Sequence, residues 1–105
     1  MNTIHDLAQV ACDYSGVTPR LLYSACRTKR VSRVRWALWW VCRNSGWSQQ
    51  QLAQALGRHD HATVCRGLQR AAELVKAPGW FLELVNHVEA YKAVQGELVL
   101  LERSS

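Results

Sequence analysis

Two histidines flank an aspartate at positions 59 to 61, and Thr63 follows two residues later. Imidazole and carboxylate groups this close together suit metal ligation, acid–base catalysis, or hydrogen bonding to the edges of nucleic-acid bases. A metal site needs a third ligand, and neither histidine is paired with a second histidine at the i, i+4 spacing of a helical site. Catalysis needs a nucleophile or a second acid, which the sequence does not place here. Base recognition remains, with an ordinary exposed helix cap as its structural alternative.

The residues around this stretch carry the start and stop signals of two helices. Ser48 and Gln51 fit a capping box that opens the first helix, and Gly57 is placed to end it in the left-handed conformation. Asp60 can then accept backbone N–H groups at the start of the second helix. This punctuation is typical of a helix-turn-helix, whose second helix reads the major groove of DNA. The side chains expected to face outward there are His61, Ala62, Cys65 and Arg66.

The rest of the chain also predicts helices, so we expect an all-α fold: a compact bundle of five to six helices containing the helix-turn-helix. Besides the two helices above, the pattern predicts one from about Thr3 to Tyr14, a short one after Thr18-Pro19, one from Ser32 to Arg43 or Asn44, and one from about Trp80 to Val94. The apolar positions expected to face the core are Ile4, Leu7, Ala8, Ala11, Leu21, Leu22, Leu52, Ala53, Leu56, Val64, Leu68, Ala71, Val75, Phe81, Leu84, Val85, Val88 and Tyr91.

This pattern divides the chain into two parts. Residues 1–77 form the predicted helix-turn-helix domain, and residues 78–105 form a helical extension that begins at Pro78-Gly79. We expect the extension to pack on the same domain, which favours a monomer. Pairing of its apolar face with a second chain, giving a dimer, is the alternative. The tail at 97–105, ELVLLERSS, is ambiguous.

Positive charge is concentrated in the middle of the chain. Residues 14–70 carry ten Lys or Arg and a single acid, Asp60, whereas the flanking segments are weakly acidic. A solvated basic face of no consequence is one explanation. Binding of a polyanion explains the concentration better, and nucleic acid is the commonest polyanion.

Other classes of protein fit the sequence poorly. The longest apolar run, residues 36–42, is far shorter than the roughly 20 residues of a membrane span. The N-terminus lacks the basic start and apolar block of a signal peptide, so we expect a cytoplasmic protein without membrane contact. The four cysteines show no CxxC spacing and are expected to be reduced thiols, not zinc ligands.

Three segments together resemble a known family. They are GRHDHATV at 57–64, VSRVR at 31–35 and ALWWVCR at 37–43. From about residue 10 to 75 the chain is similar to the C-terminal DNA-binding domain of the bacterial replication initiator DnaA. The resemblance implies an all-helical domain that binds a short, asymmetric, A/T-rich box in duplex DNA.

The resemblance also implies roles for individual residues. Asp60, His61 and Thr63 correspond to residues that touch bases or backbone at the start of the recognition helix. Arg27 corresponds to a basic-loop arginine that enters the minor groove, where an A/T-rich sequence gives an enhanced negative potential. Arg35 corresponds to an arginine that contacts DNA from the preceding helix.

Further positions complete this predicted interface. Arg43 corresponds to a basic position that grips phosphate. Departures from the family pattern occur at Ala62, which replaces Thr or Ser, at His59, which replaces Arg, and at Trp36, which replaces Gln. The full predicted interface comprises Arg27, Lys29, Arg30, Arg33, Arg35, Trp36, Arg43, His59, Asp60, His61, Ala62, Thr63 and Arg66.

The expected function is therefore sequence-specific binding of double-stranded DNA at DnaA-box-like sites. We expect no catalysis, no cofactor and no bound metal. No GxxxxGK[ST] P-loop occurs in the 105 residues, so no nucleotide is expected. The protein would regulate replication initiation or transcription, in competition with a full-length initiator. A protein-interaction adaptor that uses the basic, Trp-rich surface is the alternative, and a metal-dependent enzyme is a third hypothesis.

Overall fold

The computed structural model describes residues 4–57 and 59–104, and the side chains of the last helix as far as Val94. Within these residues the chain forms helices and connecting segments and no β-strand, which confirms the all-α prediction. The helices are α1 Ile4–Ser15, α2 Pro19–Leu22, α3 Lys29–Asn44, α4 Gln49–Ala55, α5 His61–Leu74 and α6 Trp80–Ser104.

Capping residues set most of these boundaries as the sequence predicts. Thr18 caps α2, with Pro19 at its first position. At α4 the Ser48 hydroxyl accepts from the Gln51 amide, and the Gln51 side chain accepts from the Ser48 amide, so the capping box is complete. Gly57 ends the turn after α4 with a φ of +92°, a conformation that disfavours any residue with a Cβ.

Two local predictions were wrong. The third helix begins at Lys29, one turn before Ser32, because the Ser32 amide already donates to the carbonyl of Thr28 at 2.9 Å. Leu21 is 43% exposed although Leu22 is fully buried. The two leucines are adjacent on a helix of a single turn, so they project about 100° apart and only one can face the core.

Helix α3 forms the centre of the bundle. Helix α5 packs against it, α4 packs against α5, and α1 and α6 pack against α3 and against each other. The fully buried side chains of α3 are Val34, Ala37, Leu38 and Val41, together with Trp39 at 1% exposure. This arrangement gives α5 a rigid support along one surface of α3.

Helix α6 contributes its apolar face to the same core. Phe81, Leu84, Val85 and Val88 are buried there. The helix is longer than the predicted 80–94 span, and the side chains of the ambiguous tail lie outside the described residues. No helix in the described chain is both long and apolar enough to cross a membrane.

Candidate nucleic-acid interface

A groove lies between α5, the N-terminal half of α3 and the α2–α3 loop (residues 23–28). We call it the basic groove, because six of its lining side chains are cationic and two are acidic. The cationic residues are Arg27, Lys29, Arg33, Arg35, Arg66 and Arg70, and the acidic residues are Asp60 and Glu73. All of these except Arg35 are exposed to solvent. The groove therefore offers a concentrated positive surface to an anionic partner.

The first turn of α5 forms one end of this groove. Asp60 accepts a hydrogen bond from the Thr63 amide at 2.7 Å and so caps the helix. Hydrogen bonds from the Thr63 hydroxyl and amide lower the pKa of the Asp60 carboxyl. His61 and Ala62 are exposed beside this cap, so their side chains are accessible to a ligand outside the protein.

The central part of α5 approaches α3 closely at Gly67. A Cβ built on this residue would lie 2.6 Å from Cδ1 of Trp36 and 2.8 Å from two ring carbons of Trp39. Trp36 is half-buried in the basic groove, while Trp39 is buried beneath it. The missing side chain at position 67 thus sets how deeply α5 sits on α3.

His59 serves the turn that connects α4 to α5. Its Nε2 lies 2.9 Å from the carbonyl oxygen of Leu56 and must carry the proton, because a carbonyl only accepts. Its ring packs edge-on against Trp39, with the ring centroids 5.3 Å apart. His59 lines the basic groove but is half-buried, so its interactions within the turn account for its position. Arg58 lies outside the described residues.

Arg35 does not have the environment expected of a DNA-contacting side chain. It is only 4% exposed, and its guanidinium donates to four main-chain carbonyl oxygens at the end of α2 and in the α2–α3 loop. Burial lowers the pKa of this guanidinium, while the nearby thiol of Cys26 opposes that shift. The burial of Arg35 could not be predicted from the sequence, because the carbonyl groups that surround it are brought together only by the fold.

Two other arginines of the predicted interface do not line the basic groove. Arg30 donates to the carbonyl of Ser15 at 2.7 Å, and its guanidinium carbon lies 5.4 Å from the ring centroid of Trp80. It therefore faces the junction of α1 and α6. Arg43 donates to the carbonyl of Trp47 at 2.8 Å and closes the turn after α3. Both side chains remain exposed, but the structure does not bring them together with the groove residues.

Arg70 is a groove residue that the sequence analysis missed. It follows Thr63 and Arg66 at helical spacing, so the three share one face of α5. That spacing was a usable signal, because the outward face of the second helix had already been predicted. Tyr23 also lines the groove, and its hydroxyl lies 2.7 Å from Nδ1 of His5. No comparable sequence signal connects Tyr23 with His5.

The cysteines occupy different environments. Burial raises the pKa of the Cys42 thiol to about 11 and also raises that of Cys12. Hydrogen bonds from Thr28 lower the pKa of Cys26. All four thiols are free, and among the described residues no group of three or more His, Cys, Asp or Glu is placed to hold a metal ion.

The amino-acid sequence matches a known protein family. Residues 4–71 match the family model of the bacterial dnaA protein helix-turn-helix. Comparisons with curated proteins and with solved structures give no significant match. The matched segment runs from α1 into α5 and contains every residue of the predicted interface, whereas α6 lies beyond it.

Proposed function

The chain belongs to the bacterial DnaA helix-turn-helix family and is a DNA-binding domain; from that premise we propose that it binds double-stranded DNA sequence-specifically at sites resembling the DnaA box. It acts in the cytoplasm as a regulator of replication initiation or transcription. The observation that carries this proposal is the basic groove, in which Arg27 of the α2–α3 loop lines the same cavity as Asp60 and Thr63 at the start of α5 and the other groove cations.

In the proposed complex, α5 enters the major groove with its N-terminal turn. His61 offers hydrogen bonds to base edges, and the methyl group of Ala62 contacts a thymine methyl. Thr63 and Asp60 contribute polar groups beside them. The exposure of His61 and Ala62 supports these roles, because neither side chain is needed to complete the protein core.

The α2–α3 loop is proposed to follow the adjacent minor groove. Arg27 is exposed at the edge of the basic groove, and a narrow A/T-rich minor groove attracts a guanidinium. Trp36 packs against the sugar–phosphate backbone between the two contacts. We do not assign Arg35 a direct contact, because its donors are already directed to protein carbonyls.

The remaining groove cations are proposed to hold phosphates. Lys29, Arg33, Arg66 and Arg70 are exposed on the groove walls and fix the register of the duplex without reading its sequence. If each displaces one counterion, the logarithm of the binding constant falls with the logarithm of salt concentration with a slope of about −3.6. Arg30 and Arg43 lie outside this cluster and would contribute mainly through long-range attraction.

The direct test is a gel-shift titration at one salt concentration with a box-bearing duplex and a scrambled duplex. We expect tighter binding to the box by at least about a thousandfold, the lower end for specific DNA recognition. Arg66→Ala should weaken both complexes alike, since a phosphate contact carries no sequence information. Arg20→Ala is the matched control, because Arg20 is an exposed cation that does not line the basic groove. Equal affinity for both duplexes contradicts sequence-specific binding.

Footprinting tests the regulatory role. The 105 residues contain no P-loop, so the protection of a box is expected to be the same with and without ATP. A full-length initiator added afterwards should compete for the same box. Simultaneous occupancy would contradict competition. Absence of any footprint would leave a protein-interaction adaptor or an unrelated DNA target.

A further inference from the structure

Arg35 is the one arginine whose side chain is buried in the described part of the chain, and its interactions converge on a single segment. Its Nε donates to the carbonyl of Leu22 at 2.9 Å, and its Nη1 donates to that of Cys26 at 2.6 Å. Its Nη2 donates to Leu21 at 3.1 Å and to Ser24 at 2.5 Å. One side chain on α3 thus holds the end of α2 and most of the following loop.

We propose that Arg35 is a positioning residue, which fixes the α2–α3 loop so that Arg27 is presented to the minor groove. The proposal rests on the proposed function and assigns Arg35 an effect on DNA binding through Arg27, without a DNA contact of its own. The contacts of Cys26 and Arg27, which are adjacent in the chain, support these separate roles. The Cys26 carbonyl is held inward by Arg35, whereas the next side chain, Arg27, is exposed and lines the basic groove.

The chemistry of this contact requires the guanidinium group. A planar guanidinium has five donors fixed in a fork, so it can satisfy several carbonyls that approach from different directions. A lysine at the same position carries its donors on a single nitrogen atom and cannot span the same set. Methionine fills a similar volume but donates no hydrogen bonds, so it would leave the loop carbonyls without this partner.

The loop supplies part of its own support. The Ser24 hydroxyl donates to the carbonyl of Leu21 at 2.7 Å and accepts from the Cys26 amide at 3.1 Å. These short-range bonds stabilise the turn between Leu21 and Cys26. These bonds lie within the segment and do not connect it to α3. The hydrogen bonds from Arg35 make that connection. Loss of Arg35 should therefore release the loop from the helix while leaving its local turn available.

The experiment compares the full-length Arg35→Met and Arg35→Lys variants with wild type on two duplexes, one with the A/T run beside the box and one with G·C pairs in its place. Arg35→Met should lose affinity by about tenfold on the A/T duplex and by little on the G·C duplex, as expected for loss of a minor-groove arginine. The Arg35→Lys variant should also lose more affinity on the A/T duplex than on the G·C duplex. Val41→Ala is the control, because Val41 is a fully buried α3 residue outside the groove, and it should not change the ratio of the two affinities.

Double variants separate positioning from general destabilisation. Adding Arg35→Met to Arg27→Ala should cause almost no further loss of affinity, since both changes remove the same contact. Adding it to His61→Ala should multiply the two losses. Equal losses on both duplexes, matching those of Val41→Ala, would show that Arg35 acts only on stability. Full affinity in Arg35→Met would also overturn the proposal.

Tryptic cleavage after Arg27 gives a readout without DNA. Release of the loop should make this bond cleave faster in both Arg35 variants than in Val41→Ala. If wild type fails to distinguish box from scrambled DNA but the cleavage difference appears, the proposed function fails while the hold of Arg35 on the loop stands. If Arg35→Met does not fold, Arg35→Lys provides the comparison. Unchanged cleavage and an unchanged affinity ratio in that variant would refute the positioning role.

Discussion

Replacement of Gly67 by alanine tests how α5 is seated on α3. In an open helix this substitution would stabilise the protein by about 1 kcal/mol, because alanine has the higher helix propensity. In this structure the added Cβ would lie 2.6 Å from Trp36 and 2.8 Å from Trp39. Contacts this short cannot be accommodated without movement of a ring or of the helix.

The balance of these effects favours destabilisation. Trp39 is 1% exposed and surrounded by the core, so its ring cannot move aside, whereas Trp36 is half-buried and can yield in part. Overpacking of a core typically costs about 1–3 kcal/mol. After the gain in helix propensity, we expect Gly67→Ala to lower the free energy of unfolding by up to about 2 kcal/mol, or Tm by up to roughly 15 °C for a domain of this size.

Urea denaturation followed by circular dichroism measures this change. Gly79→Ala is the matched control, since no atom lies within 4 Å of a Cβ at that position and its φ is not in the left-handed region. The control should stay within about 0.5 kcal/mol of wild type. An increase of about 1 kcal/mol in Gly67→Ala would mean that propensity alone governs the site, and it would refute the packing argument.

Four further predictions address the interface and the last helix. His61→Ala should weaken binding to the preferred box by about 1–3 kcal/mol and leave scrambled DNA almost unaffected in parallel titrations; an equal loss on both would make it a backbone contact. Arg27→Ala should reduce affinity most for boxes beside an A/T run, and an identical response of mutant and wild type to G·C replacement would contradict minor-groove insertion. Because hydrogen bonds depress the pKa of Asp60 in the folded state, its stabilisation is present above the unfolded pKa and is lost as pH falls through the folded pKa. Asp60→Asn, which keeps a cap, should therefore show a weaker decline of Tm between pH 6 and about 3 than wild type; parallel curves would exclude this contribution. Deletion of residues 79–105 should destabilise the fold, since Leu84 and its neighbours are buried in the core, and sedimentation of the whole chain should show a monomer; a folded, monomeric truncation of a dimeric parent would reverse this view.

Interactions between residues close together in the chain could be predicted from the sequence. The cap at Ser48, the left-handed Gly57 and the cap at Asp60 depend on residues within one turn, so their patterns were sufficient to predict them. The family model confirms the helix-turn-helix that these signals predicted. DNA contacts of individual residues stay predictions.

Interactions across the fold were less predictable. An arginine on a helix suits either a phosphate or a set of protein carbonyls, and the burial of Arg35 depends on where α2 ends in space. The same holds for Arg30, whose direction depends on the position of Trp80, fifty residues away in the chain. Arg70 differs, because its helical spacing from Arg66 was visible in the sequence.

The division of labour along α5 has a consequence for how this domain can diversify. Val64, Gly67 and Ala71 anchor the helix in the core, while His61 and Ala62 project into solvent at its first turn. Substitutions of exposed side chains that take no part in a cap hydrogen bond usually change stability by less than about 0.5 kcal/mol, and the Asp60 cap uses neither residue's side chain. Positions 61 and 62 can therefore be substituted during evolution, or randomised in a library, without loss of the folded scaffold. A few substitutions at the first turn of α5 would then be enough to recognise a new DNA sequence.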